Sequence, residues 1–125
     1  MSRIRSRDTK PELLVRKFLF AKGFRYKLHD KTLPGKPDLV LKKYRTAILI
    51  NGCFWHGHRN CEIFRMPKTK KSYWIPKIEK NMDNDLKNRS LLRKFGWKVV
   101  VIWECQLKKV KLERTLNLIV NNILN

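Results

Sequence analysis

Residues 34–50, PGKPDLVLKKYRTAILI, contain a turn and two short apolar segments joined by a second, basic turn. Proline and glycine within residues 34–37 are typical of a turn. Residues 38–41 and 46–50 have the length and the apolar content of short strands. The stretch therefore predicts two consecutive strands, the first of which begins at an aspartate, Asp38, directly after a turn.

The apolar pattern on either side of this stretch predicts helices and further strands. A first helix is expected to begin near Thr9 and to end at Gly23, since Glu12 has capping-box spacing. The other predicted elements are a strand over 24–29, a long loop over 51–71, a helix over 76–95, a strand over 97–103 and a helix over 112–124. The order α-β-β-β-α-β-α predicts an α/β fold with a mixed central sheet flanked by helices.

Two of these elements also carry predictions about burial. The continuous β-branched run within 97–103 favours a central strand that is covered on both faces. In the second long helix, the spacing of Ile78, Met82 and Leu86 predicts one buried face. We expect the whole chain, 1–125, to form one domain, with residues 1–8 as a basic N-terminal arm.

The composition is strongly basic, with 30 Lys and Arg against 10 Asp and Glu, a net charge of +20 and a pI near 10.4. A field of this sign favours a polyanionic partner, and nucleic acid is the first candidate. An anionic membrane surface is the alternative, but the charge is spread along the chain and no lipidation motif is present. Without a secretory apolar region, and with an odd number of cysteines, the chain is expected to be a reduced cytoplasmic protein.

A nine-residue stretch that begins at Cys53, CFWHGHRNC, holds two thiols and two imidazoles, and Cys105 adds a third thiol. Three thiolates and one imidazole make a tetrahedral zinc set without an open position, which is typical of a structural site. Cys53, Cys61 and Cys105 are the candidate thiolates, and either His56 or His58 can be the fourth ligand, which leaves the other imidazole for chemistry. We favour His58 as the ligand. The alternative is three reduced thiols and no metal.

A second candidate site centres on Asp38. A carboxylate at a strand end can hold a hard divalent cation, which polarises phosphoryl oxygens and lowers the pKa of bound water. The next strand ends at Ile50 beside the loop, so we expect His56 to lie near Asp38. The remaining carboxylate candidates are Glu12, Asp83 and Asp85, for which a helix cap or a solvated helix face is the alternative interpretation.

Four segments together resemble one family, the very short patch repair (Vsr) DNA mismatch endonucleases. The Pro37-Asp38 start alone is similar to restriction-endonuclease-like nucleases, although the usual acidic-x-Lys triplet is lacking on the next strand. The resemblance extends from Met1 to about Lys109. Its segments are residues 33–38, residues 51–58, residues 73–81 and residues 96–105.

This resemblance implies a restriction-endonuclease-like core and an enzyme that nicks one DNA strand at a T:G mismatch. It implies Mg²⁺ on Asp38 and on the backbone carbonyl of Ile50. His56 matches the catalytic histidine, while Asp85 and Glu12 match carboxylates of the active site. Structural Zn²⁺ is implied on Cys53, His58, Cys61 and Cys105.

The implied DNA contacts are aromatic and basic. Phe54 and Trp55 match a wedge in the base stack, and Trp74 and Lys77 match a DNA-contacting surface. Met1 falls where an intercalating methionine can lie. The sequence departs from some members at Asn51, where they carry a second histidine, and in one extra residue between His58 and Cys61.

The expected partner is double-stranded DNA, bound by a monomer associated with the nucleoid, without a small-molecule cofactor. Two alternatives to a mismatch nickase stay open. One is a nuclease of the same fold with another DNA target. The other is a DNA-binding module that is stabilised by structural zinc and has no catalytic activity.

Overall fold

A computed structural model of the chain describes residues 10–53 and 69–125. The described helices are α1 (Lys10–Ala21), α2 (Lys71–Lys94) and α3 (Lys109–Leu124). The described strands are β1 (Lys27–Leu28), β2 (Leu39–Leu41), β3 (Thr46–Asn51) and β4 (Lys98–Trp103), with 3-10 turns at Lys42–Tyr44 and Glu104–Leu107. The predicted mixed α/β architecture is confirmed.

The described strands form one mixed sheet in the order β1-β2-β3-β4. β1 and β2 are antiparallel, β2 and β3 are antiparallel, and β3 and β4 are parallel. Parallel neighbours need a long crossover, and the chain between β3 and β4 contains α2. This topology places the end of β3 beside the end of β4, which brings residues from distant parts of the sequence together.

The predicted central position of β4 is wrong for the described residues, in which β4 lies at an edge of the sheet. Both α2 and α3 contact β4. Val100 and Ile102 are buried, whereas Val99 and Val101 are half-buried. The β-branched run therefore reflects cover by two helices rather than strands on both sides.

The hydrophobic core lies between the sheet and the helices α1 and α3. Leu19 of α1 and Ile119 of α3 are fully buried, and both belong to the same core cluster as Ile48 of β3. Burial of each such side chain contributes about 1.5–3 kcal/mol. Among the described helices, none has the length and apolar character that a membrane span requires.

Helix α2 begins at Lys71, five residues before the predicted start at Pro76. The amides of Tyr73 and Trp74 both donate to the Lys70 carbonyl, so the first turn forms without help from the proline. Pro76 therefore lies inside the helix. The extra turn extends the helix to the two aromatic residues that precede the proline.

The buried face of α2 is also displaced from the prediction. Ile78 is buried as expected and Met82 is half-buried, but Leu86 is 60% exposed. The less exposed positions instead include Trp74, Ile78, Asn81, Asp85, Asn88 and Leu92, at alternating spacings of four and three. We call these six residues the inner face of α2. Its middle is polar because this part of the helix borders a cavity rather than the core.

Candidate active site

Asp38 directly precedes β2, and its carboxylate accepts a hydrogen bond from the neighbouring strand β3. Its Oδ2 accepts a hydrogen bond of 2.7 Å from the backbone N–H of Ile50. Extending the β2–β3 register by two residues places Pro37 opposite Ile50. In a continued ladder this N–H would meet the Pro37 carbonyl, so the Asp38 carboxylate replaces a backbone acceptor, while Pro37 has no N–H to donate in return.

The same absence of a proline N–H affects the Ile50 carbonyl. In an extended strand the N–H and C=O of one residue point to the same side, so the Ile50 carbonyl shares a side with the N–H that meets Asp38. Pro37 cannot donate a ladder hydrogen bond to that carbonyl. A carboxylate and a backbone oxygen thus converge at the ends of β2 and β3, as oxygen ligands of a hard cation do.

His29 lies between two carboxylates in this region. Its Nε2 is 3.0 Å from Glu12 Oε2, and its Nδ1 is 3.9 Å from Asp38 Oδ1. The side chain is 18% exposed. Sequence reasoning missed this residue; the available signal was one of only three histidines in the chain, placed nine residues before Asp38.

Glu12 is buried, at 1% exposure, although the carboxylate is ionisable. Burying an unpaired carboxylate is costly, and cationic partners offset this cost. Arg16, one helical turn later, lies 3.2 Å from Glu12 Oε2. One donor atom each from Glu12, His29 and Asp38 lies within 4.8 Å of the others, so the three residues have the spacing to hold one metal ion.

A cavity of about 600 Å³ opens over this carboxylate group. Asp38, Ile50 and Asn51 line it from the sheet, and Asp85 and Asn88 line it from the inner face of α2. Lys31 and Lys36 contribute positive charge from the segment between β1 and β2. A cavity with carboxylates inside and lysines on its wall can bind a cation together with a phosphate.

The structure brings together the predicted catalytic residues that it describes. Asp38, Asn51 and Asp85 line the cavity, and Glu12 joins them through His29. Asp83 is exposed and does not belong to the cavity lining. Asn88 is a lining residue that sequence reasoning missed, because an asparagine within a helix carries no distinctive signal. His56 lies outside the described residues.

Gly35 allows the β1–β2 segment to approach α2 closely. Its φ is +77°, and a Cβ at this position would lie 3.0 Å from Asn88 Cβ. Gly23 offers a matched case, because its φ is +91° but a Cβ there would meet nothing within 4 Å. Substitutions at the two glycines can therefore be compared to distinguish the cost of backbone strain from the cost of a steric contact.

We expect Gly35→Ala to destabilise the protein by about 2–3 kcal/mol, against about 1 kcal/mol for Gly23→Ala. Both variants strain a left-handed backbone, but only Gly35→Ala also displaces the helix that carries Asp85 and Asn88. Urea unfolding of both variants measures the difference. Equal losses of stability would contradict a close contact between Gly35 and Asn88.

Asp30 organises the segment that leads to Asp38. Its Oδ1 accepts hydrogen bonds from the Thr32 hydroxyl and, at 2.9 Å, from the Thr32 backbone N–H. These two hydrogen bonds lower the pKa of the Asp30 carboxyl below its usual value of 3.8, and Lys27 contributes in the same direction. The ionised form of Asp30 is therefore the form that stabilises the fold.

We expect Asp30→Ala to lower the free energy of unfolding by about 1–2 kcal/mol at neutral pH. A lowered pKa contributes stability in full above 3.8, and this contribution is lost as the pH falls through the folded-state value. Asp30→Asn keeps an oxygen acceptor for Thr32 but has no such pH dependence. Urea unfolding of the three proteins between pH 2 and pH 7 tests this; parallel pH profiles for parent and Asp30→Asn would contradict it.

The two described cysteines meet at the ends of the parallel strands. The register pairs Asn51 with Trp103, and the same offset places Cys53 opposite Cys105. The Cys105 N–H donates to Cys53 Sγ at 3.4 Å, and Cys53 is fully buried. The fold thus brings together two of the four predicted zinc ligands; the other two, His58 and Cys61, lie outside the described residues.

The predicted DNA-contacting residues of α2 cluster at its first turns. Tyr73 and Trp74 make an edge-to-face contact with ring centroids 5.1 Å apart, and Lys77 Nζ lies 4.7 Å from the Tyr73 ring centroid. Tyr73 is 53% exposed. This end of the helix presents aromatic and basic groups together. The other predicted contacts, Met1, Phe54 and Trp55, lie outside the described residues.

Comparisons with known proteins agree on one family. Residues 1–62 match the family model described as DNA mismatch endonuclease Vsr. The type II nicking enzyme V.NmeAIP of Neisseria meningitidis is 51% identical over 98% of this chain and 88% of its own length. The type II nicking enzyme V.XorIIP of Xanthomonas oryzae is 45% identical over 86% of this chain and 78% of its own. The DNA mismatch endonuclease Vsr of Escherichia coli is 40% identical over 86% of this chain and 69% of its own length.

Proposed function

The chain belongs to the Vsr family of DNA endonucleases, and from this premise we propose that it nicks one strand of duplex DNA beside the thymine of a T:G mismatch. The observation that carries the proposal is the cavity in which Asp38, Ile50, Asn51 and Asp85 converge under two lysines. The chain would act as a monomer on a restriction-endonuclease-like core. A basic surface with a net charge of +20 supports binding to the DNA backbone.

The proposed catalytic cation is Mg²⁺, held by the Asp38 carboxylate and the Ile50 carbonyl. The donor set fits this ion, because Mg²⁺ is usually bound through one or two carboxylates, substrate phosphate oxygens and waters. The proline at position 37 supports the use of the Ile50 carbonyl, since it removes a competing ladder hydrogen bond. When bound, the cation supplies Lewis acidity at a phosphoryl oxygen.

The proposed general base is His56, which would take a proton from the attacking water. It lies six positions after Ile50 in the chain, so even a fully extended chain keeps it within about 20 Å of Ile50. Asp85 on the inner face of α2 would orient either His56 or a water, and Asn51 would hydrogen-bond the phosphate or a water. Lys31 and Lys36 would attract the DNA phosphate into the cavity.

Zinc has a separate role in this proposal. Cys53 and Cys105, which meet at the ends of β3 and β4, would bind it with His58 and Cys61. Four protein ligands leave no open position, so this ion would stabilise the fold rather than react. Phe54 and Trp55 would wedge into the base stack, assisted by Trp74, Lys77 and Met1, since a mismatch lowers the cost of unstacking.

A nicking assay tests the proposed function. A duplex that contains one T:G pair is labelled on each strand in turn and incubated with the protein and Mg²⁺; the matched duplex is the control. We expect cleavage of the thymine strand alone, dependent on the added cation. Equal cleavage of matched DNA would favour a nuclease with another target, and DNA binding without cleavage would favour a non-catalytic module.

A further inference from the structure

His29 is a side chain of the cavity to which the proposed mechanism gives no role. It lies between Glu12 and Asp38, with one ring nitrogen facing each carboxylate. The backbones of the two residues are also hydrogen-bonded, because the His29 N–H donates to the Asp38 carbonyl oxygen at 3.1 Å. The imidazole is thus held at a fixed place beside the carboxylate that the mechanism uses for its cation.

The distances around His29 suit a shared metal ion. Ligands about 2.1 Å from an ion and at right angles to one another lie about 3.0 Å apart. The separation of His29 Nε2 and Glu12 Oε2 is 3.0 Å, and a donor atom of Asp38 lies within 4.8 Å of both residues. These three side chains can therefore form part of one coordination sphere.

The two carboxylate oxygens of Asp38 face different groups. Its Oδ2 meets the Ile50 N–H, whereas its Oδ1 faces His29 at 3.9 Å. The Oδ1 side is therefore chemically different from the Oδ2 side. It offers the His29 imidazole and, on the far side of that ring, the Glu12 carboxylate, whereas the Oδ2 side meets a backbone N–H.

We propose that Glu12, His29 and Asp38 form a cation position that selects Mn²⁺ or a related first-row transition metal over Mg²⁺. The inference rests on the proposed function, which places a catalytic cation at Asp38. Mg²⁺ is bound mainly by oxygen, whereas first-row transition metals also accept imidazole. Arg16 offsets part of the Glu12 charge, so the imidazole rather than excess negative charge sets the selectivity.

The backbone at His29 indicates which substitution tests this cleanly. Its φ is +48°, in the left-handed region that asparagine tolerates better than most residues. His29→Asn therefore removes the imidazole with little backbone strain. Lys31→Ala is the control, because Lys31 lines the same cavity but its ammonium group has no lone pair for a metal.

The test is Mn²⁺ binding to the full-length, zinc-loaded protein, followed by electron paramagnetic resonance and by competition with Mg²⁺. We expect His29→Asn to weaken Mn²⁺ binding by about tenfold or more, with little change for Mg²⁺. The ¹⁴N coupling of the bound Mn²⁺ should fall in His29→Asn and persist in Lys31→Ala. Thermal unfolding of each variant confirms that the fold is retained.

Different outcomes separate this inference from the proposed function. A parent protein without preference for Mn²⁺, or a His29→Asn variant with the parental Mn²⁺-to-Mg²⁺ ratio and coupling, overturns the role of His29. Asp38→Asn provides the other comparison. If it binds Mn²⁺ as tightly as the parent, Asp38 is not a ligand and the three-residue position is wrong; if it loses Mn²⁺ while His29→Asn does not, only the role of His29 fails. The nicking activity of Asp38→Asn with Mg²⁺ tests the proposed function separately.

Discussion

Asp38→Asn is expected to reduce strand nicking by about 10³-fold or more while leaving DNA affinity within about threefold of the parent. The variant retains an amide oxygen that can accept the Ile50 N–H, so the start of β2 should keep its place. It loses the charge that holds the proposed cation. Removal of a metal-based stabilisation of several kcal/mol corresponds to this loss of rate. Single-turnover nicking of a T:G duplex and equilibrium DNA binding measure the two quantities.

Asp83→Asn is the matched control for Asp38→Asn, because it makes the same chemical change on the exposed surface of α2. Asp83 does not line the cavity, and we expect nicking by this variant to stay within about twofold of the parent. Comparable activity of Asp38→Asn and the parent would exclude a catalytic cation at Asp38. Loss of DNA binding in Asp38→Asn alone would show that Asp38 acts in DNA binding rather than in chemistry.

The carboxylates of the site were predictable because they carry local signals. Asp38 follows a Pro-Gly turn and begins an apolar strand, and this local pattern places a side chain at a strand end. Glu12 has the spacing of a helix-capping residue, and acids are scarce in this chain. The structure adds what local patterns lack, since only the assembled fold places Glu12 of α1 and Asp38, just before β2, on either side of His29.

The buried face of α2 is harder to predict, because the middle of that face borders the cavity rather than the core. Periodicity assigns apolar residues to the buried side and so predicts a buried Leu86, yet Leu86 is exposed and Asp85 and Asn88 line the cavity. A polar stripe between Ile78 and Leu92 contradicts a purely hydrophobic interpretation of the helix. Such conflicts between pattern and burial are expected at functional sites.

The edge position of β4 shows a related limit. The pattern of apolar residues in a strand depends on what packs against its two faces. It depends very little on whether neighbouring strands are hydrogen-bonded to its edges. β4 therefore has the composition of a central strand while it pairs, within the described residues, with β3 alone. The pairing of β3 with β4 is nevertheless what brings Cys53 to Cys105.

Cys105→Ser is expected to lose bound zinc and to destabilise the fold by several kcal/mol. Cys105 is the informative position, because it is half-buried and serine has almost the same shape. Without a metal, such a substitution at a half-buried site costs about 1 kcal/mol or less. Cys53 is fully buried, so Cys53→Ser would be costly with or without zinc and would not discriminate. Zinc content and thermal unfolding measure the effect.

Metal removal from the parent supplies the control for Cys105→Ser. If zinc accounts for the difference, chelated parent and Cys105→Ser should unfold at similar temperatures, and added zinc should restore only the parent. A Cys105→Ser protein with about one equivalent of zinc would exclude Cys105 as a ligand. A zinc-free parent with the stability of the untreated protein would contradict a structural role, because a metal that binds only the folded state must raise its stability. The effects expected of the two proposed metals are thus separable, since zinc loss should change unfolding and loss of Asp38 should change the rate of nicking.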